Sequence, residues 1–215
     1  MTPFDAIDGY CERIGPEWWS EPVNAFSNLA FLWVAWMLCH RRYPRDIGGE
    51  VRLLGCLIGL VGIGSGLFHV YGKVWGAWLD SGFIALFILT YLHRFLRRLA
   101  GYGQLGAWMG VASFVMLDRG VAALGDFGLN GSEGYILPGI TLGLLVLWAR
   151  RVAPAAAPHL ARAGGLFVVS WLLRTMDMTL CPYWPLGTHF AWHLLNAGVL
   201  YLCVKGLAAG CRPGW

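Results

Sequence analysis

The chain has 215 residues, of which 57% are hydrophobic and 13% charged, and its mean hydropathy is +0.56. Soluble domains carry roughly 25% charged residues, so the composition excludes an ordinary soluble protein and points to one integral membrane domain, residues 1–215, with no soluble module. The net charge of +4 comes from basic residues spread over particular loops; no basic patch marks a nucleic-acid partner.

The N-terminal stretch MTPFDAIDGYCERIG lacks a basic region followed by an apolar run, so it does not read as a secretory signal peptide. Residues 1–22 form an acidic segment with Asp5, Asp8, Glu12, Glu17 and Glu21. Beyond it, a spanning helix needs about 20 mainly apolar residues, and seven segments qualify: 23–39, 52–71, 75–93, 101–117, 134–149, 164–181 and 188–207. The first opens EPVNAFSN, with Glu21, Asn24, Ser27 and Asn28. The second holds Ser65 and His69, and the third Asp80 near its start. The fourth and fifth have no ionisable residue in their apolar centres, though the fifth holds Pro138. The sixth carries Arg174 and Asp177, and the seventh His189 and His193.

The loops set the orientation. Stretches 40–52, 93–98 and 149–162 are rich in arginine, whereas the alternate loops are poor in it or acidic. Basic loops stay on the cytoplasmic side. The expected fold is therefore an all-α bundle of seven transmembrane helices, N-terminus outside and C-terminus cytoplasmic. Bacterial inner membranes and organelle membranes both fit.

With that orientation, the polar residues of five segments share one depth, toward the outer face. Ionisable groups in a bilayer cost several kcal/mol unless paired or ligated, so they point to function. Residues four apart share a helix face. His189 and His193 therefore point the same way, as do Ser65 and His69. Two histidines at that spacing and a third from a facing helix make a three-nitrogen site with one tetrahedral position left for water. A metal there acidifies water and polarises a carbonyl. Asp80 is then a candidate base and Ser65 a candidate donor. The alternative is a pair of interfacial histidines at the headgroups. Arg174 and Asp177, three apart, read as a structural ion pair, with Asp177 also placed to accept from a ligating histidine. His93, among arginines, and His159, in a polar loop, read as solvated. Cys11 and Cys181 both fall on the outer side and are either bonded or free thiols.

Three blocks resemble the alkaline ceramidases, seven-helix zinc hydrolases of a superfamily that includes the adiponectin receptors. They are CERIGPEWWSEPVNAFSNLAF, GSGLFHVYGKVWGAWLD and GTHFAWHLLNA, in the family's order and over nearly the whole chain. The resemblance implies zinc on His69, His189 and His193, proton transfer by Asp80 and oxyanion stabilisation by Ser65. It also implies a Cys11–Cys181 disulfide. It further implies calcium on the acidic segment, through Asp8, Glu12 and Glu21 with carbonyls from Tyr10 and Ile14. That match departs from the family pattern in spacing, and Ile14 offers no side-chain oxygen. An acidic tail that only sets topology is the alternative.

The expected function is a zinc-dependent amidohydrolase that cleaves ceramide or a related N-acyl lipid to a fatty acid and a sphingoid-like amine. The lipid amide and the surrounding membrane lipids are the expected partners. A lipid-sensing or signalling protein with structural zinc is the alternative. A transporter ranks last, because the polar residues stop in the outer half.

Overall fold

The computed structural model describes residues 2–211, and every regular element among them is helical. The helices are α1 (Pro22–Ser27), α2 (Leu29–His40), α3 (Arg45–Tyr71), α4 (Val74–Arg98), α5 (Gln104–Ala122), α6 (Ile136–Val152), α7 (Ala157–Leu180) and α8 (His189–Gly210). A short 3₁₀ turn, Glu133–Tyr135, leads into α6. Five stretches are long and apolar enough to cross a membrane: Pro22–His40, Arg45–Tyr71, Val74–Arg98, Glu133–Val152 and His189–Gly210.

Local chemistry explains the breaks. Pro22 opens α1, where a missing N–H costs nothing. Pro138 is the third residue of α6, among first-turn donors that have no intrahelical acceptor. Gly72 ends α3 in the left-handed region at φ +56° and donates its N–H to the Phe68 carbonyl at 2.7 Å. The chain then re-enters the bundle as α4 after a single residue more, Lys73.

Two helices begin earlier than the apolar segments suggest. α3 starts at Arg45 rather than at 52, so most of the arginine-rich stretch is helix and only 41–44 is loop. Ile47, Val51 and Leu54 are buried at helical spacing while Arg45, Asp46 and Arg52 are exposed. This first part is amphipathic, and mean hydropathy does not register it. α7 likewise starts at Ala157, which puts His159 inside a helix rather than in a loop. His93 is not solvated as expected: it is buried at 7% exposure, with its ring 4.5 Å from that of Trp108.

The core joins Leu38 of α2, Leu54 and Ile58 of α3, Phe95 of α4, Leu160 of α7 and Leu207 of α8, all fully buried. Outward faces are apolar too, with Trp33, Leu105, Met116, Leu144 and Leu147 more than half exposed. Apolar residues on both the inside and the outside suit a chain whose solvent is lipid.

The N-terminal segment folds over the turn between α3 and α4. Ile7 and Trp19 donate backbone N–H groups to the Gly72 and Val70 carbonyls at 2.8 and 2.6 Å. In return, Val74 and Trp75 donate to the Asp5 and Pro3 carbonyls at 3.2 and 3.0 Å. Cys11 and Cys181 are joined by a disulfide that ties the segment to the end of α7.

Candidate metal centre

His69 stands in the last turn of α3, and His189 and His193 in the first two turns of α8. All three are at most 2% exposed. Their ring centroids lie 4.5, 4.8 and 5.1 Å apart. One donor atom from each lies within 4.8 Å of the others, the only such group of His, Cys, Asp or Glu among the described residues. This buried trio can hold a metal ion.

Neighbouring groups select which nitrogens face the centre. His69 Nδ1 is 2.5 Å from Glu21 Oε2, and its Nε2 has no partner. His193 Nδ1 is 2.7 Å from Ser27 Oγ, and its Nε2 is 3.4 Å from Ser65 Oγ. His189 stacks on Tyr10, with centroids 3.7 Å apart, and its Nδ1 is unpartnered. Buried polar atoms without a partner are rare and call for an explanation. A three-imidazole donor set with an orphaned Nε2 fits zinc or another imidazole-loving divalent metal. Hydrogen bonds to the far ring nitrogen are the usual way such ligands are oriented.

Ser65 and Asp80 share a cavity with His193 of this centre. Both line a cavity of about 110 Å³ that also takes in His193, Phe87, Tyr91, Leu145 and Cys203. One water needs roughly 10–15 Å³ by this measure, so the space suits an elongated apolar group. Asp80 Oδ1 is buried and unpartnered.

The N-terminal segment covers the site, and its acidic residues point elsewhere than to a common ion. Glu12 accepts from the Val23 and Asn24 backbone N–H groups at 2.6 and 2.8 Å, at the start of α1. Burial pushes its carboxyl up, and those two N–H groups pull it back. Glu21 is taken by Arg13 Nε at 2.5 Å, Asn24 Nδ2 at 3.0 Å and His69. Burial raises the Glu21 carboxyl, but the His69 hydrogen bond, aided by Asn24 and Arg13, brings it below the ordinary range. Burial also raises the Tyr10 phenol. Asp8 and Ile14 are exposed, and Asp8, Glu12 and Glu21 do not come together as a ligand group. These residues, as arranged, do not fit a calcium ion.

Arg174 and Asp177 do not pair with each other. Asp177, fully buried, accepts from the Thr188 and His189 backbone N–H groups at 2.6 and 2.9 Å. Its charge thus caps the N-terminus of α8 directly before the first ligand histidine. Arg174 donates to the Asn130 carbonyl, Ser132 Oγ and Tyr10 Oη at 2.9, 2.8 and 3.2 Å. Its guanidinium lies 5.2 to 5.8 Å from the rings of Tyr10, Tyr135 and Trp192. Two i, i+4 pairs, Ser65/His69 and His189/His193, and a shared depth locate the histidines, Ser65 and Asp80 in the sequence. The parts played by Arg13, Ser27 and Tyr10 had no such signal, since each acts through a contact between distant segments. The single hint was Arg13 itself, a lone cation in an acidic run. No family model and no curated protein matches the chain.

Proposed function

We propose that the chain is a seven-helix membrane amidohydrolase that uses zinc to cleave ceramide or a related N-acyl lipid. The observation that carries this reading is a buried histidine trio of which one member, His193, lines an apolar cavity together with Ser65 and Asp80. On this reading α5 and α7 cross the membrane as well, beside the five stretches that are long and apolar enough, which gives seven spans. The arginine-rich ends at 41–45, 94–98 and 150–162 would lie in the cytoplasm and the N-terminal segment outside.

Zinc held by His69, His189 and His193 supplies Lewis-acid polarisation of a carbonyl and acidifies water. The chain supplies the rest. The cavity takes the acyl chain and excludes water from it. Asp80 takes a proton on its free Oδ1 from the attacking water and passes it to the departing amine nitrogen. The Ser65 hydroxyl donates to the oxygen that becomes negative. Glu21 and Ser27 hold the His69 and His193 rings. Water adds across the amide C–N bond, giving a fatty acid and a sphingoid-like amine.

The test is fatty-acid release from a panel of N-acyl lipids by purified protein in detergent. Release is expected, and Asp80→Asn should lower kcat by at least roughly 100-fold with metal content unchanged. No release from any member by metal-loaded protein would overturn the hydrolase reading and favour a lipid sensor. Full activity in folded Asp80→Asn would remove the proton-transfer role.

A further inference from the structure

Arg13 is 5% exposed, yet it comes from a surface segment. Its guanidinium sits among oxygens on every side. Nε meets Glu21 Oε1 at 2.5 Å, Nη1 donates to the Gly15 and Glu17 carbonyls at 3.3 and 3.2 Å, and Nη2 donates to the His69 carbonyl at 3.1 Å. A carboxylate and backbone carbonyls are also the hard oxygens that calcium prefers. Here they are spread over the three nitrogens of one guanidinium, and a side chain of the same segment supplies the positive charge. The fit is close: a Cβ on Gly72 would run into the guanidinium, and Gly72 is also in the left-handed region at φ +56°.

The same guanidinium holds His69 at two places. It takes the His69 carbonyl directly, one of the last carbonyls of α3, which lack intrahelical donors and carry the negative end of the helix. It takes the imidazole through Glu21, whose second oxygen meets Nδ1 at 2.5 Å. A ring fixed through both its backbone and its Nδ1 can turn only Nε2 toward His189 and His193.

We infer that Arg13 is a built-in cation: it takes the Glu21 carboxylate that the resemblance assigns to calcium, and through Glu21 it positions His69, so the N-terminal segment needs no metal of its own. This inference rests on the histidine trio as a metal site, and nothing in it is read from lipid hydrolysis. Arg13 touches neither substrate nor metal; it is a positioning residue.

The experiment compares detergent-purified wild type, Arg13→Ala and Arg13→Lys in EGTA and in millimolar calcium chloride. Thermal unfolding, radioactive calcium binding and the visible spectrum of cobalt-substituted protein are recorded. Wild type should bind no calcium and melt at one temperature in both buffers. Arg13→Ala should melt several degrees lower in EGTA, and calcium should recover part of the loss by entering the vacated oxygens. Its cobalt spectrum should change in EGTA in the same way as that of Glu21→Gln, because both release His69 Nδ1. Arg13→Lys, which keeps the charge but not the fork, should fall between. Calcium binding to wild type with a rise in melting temperature would overturn the inference even if no variant folds. So would an Arg13→Ala protein whose melting temperature and cobalt spectrum match wild type. Absence of cobalt binding to wild type would instead sink the metal site, while the calcium measurements still decide whether Arg13 replaces an ion.

Discussion

The backbone N–H of Cys11 donates to Asp177 Oδ2 at 2.9 Å across 166 residues of sequence. The other oxygen of Asp177 holds the N-terminus of α8. One carboxylate therefore joins the N-terminal segment, the end of α7 and the helix that carries two of the three histidines. Gly187 makes this approach feasible: its φ is +63°, and a Cβ there would strike Asp177 Oδ1 and Cys11 Cβ. Gly187→Ala should be destabilising by about 2 kcal/mol or more. Asp177→Ala should cost at least as much, because it strands three backbone donors, two of them buried. Thermal unfolding in detergent checks both, and a melting temperature unchanged in either variant would refute the clasp.

Purified protein should contain about one metal ion per chain, with zinc expected. Removal of two ligands in the double variant His189→Ala/His193→Ala should abolish it. Mass spectrometry of the metal content reads this directly. Retention of metal by the folded double variant would move the site elsewhere.

Ser27 belongs to α1, but it meets His193 Nδ1 at 2.7 Å and its own Asn24 carbonyl at 2.7 Å. The hydroxyl donates only one proton. With the Asn24 carbonyl taking it, Ser27 Oγ accepts from His193 Nδ1–H, which frees Nε2 for a metal. Ser27→Ala should weaken metal binding roughly 10-fold to 100-fold with little change in fold. Competition against a graded series of chelators measures it. Equal affinities would make this hydrogen bond incidental.

The histidine trio was legible because a fixed helical period and a shared depth bring His69, His189 and His193 together without knowledge of any contact. Ser65 and Asp80 followed from the same geometry. The Arg174–Asp177 pairing was read by the same spacing rule and is wrong for a physical reason. The rule counts only partners on one helix, whereas buried Asp177 finds backbone donors at Thr188 and His189, and buried Arg174 finds Tyr10 and Ser132. Arginine neighbours in the sequence assign His93 to solvent, whereas its ring packs against Trp108 of the next helix, a contact that sequence spacing does not reveal. The beginning of α3 was missed because Ile47 and Val51 are apolar residues set among charges, and a hydropathy average erases them. The disulfide was open on residue placement alone; only the resemblance favoured it, and Cys11 and Cys181 are bonded.

That disulfide closes a loop with a sequence separation of 170. Cross-links over long loops are worth roughly 2–4 kcal/mol. Here the gain belongs to the N-terminal segment, which carries Tyr10, Arg13 and Glu21 over the histidines. Reduction, or the Cys11→Ser/Cys181→Ser variant, should therefore lower the melting temperature and speed proteolysis within residues 2–21 while the helices stay intact. Limited proteolysis followed by mass mapping tests this. A cleavage pattern identical to that of the oxidised protein would show that the hydrogen bonds to Gly72 and Val70 hold the segment unaided.

The cavity that begins at Ser65 and Asp80 also includes Tyr91 and Cys203. His193 and Cys203 are ten residues apart on α8 (203 − 193), which at 1.5 Å per residue is roughly 15 Å. The far end is pinned, since Tyr91 Oη donates to the Cys203 carbonyl at 3.1 Å. On the proposed function, an acyl chain running from the histidines along α8 toward Cys203 would meet this floor, and its length would be limited there. Cys203→Phe adds volume at the floor without touching His69, His189, His193, Ser65 or Asp80. Overpacking costs about 1–3 kcal/mol, felt by the longest chains. The variant should lose roughly 10-fold in kcat/KM for long-chain N-acyl lipids, about 1.4 kcal/mol of transition-state stabilisation. It should keep the rate for short-chain ones and its full metal content. Chain-length series measured on both proteins decide the matter. No loss at any length would mean that the acyl chain does not reach Cys203 and leaves the cavity earlier, between the helices.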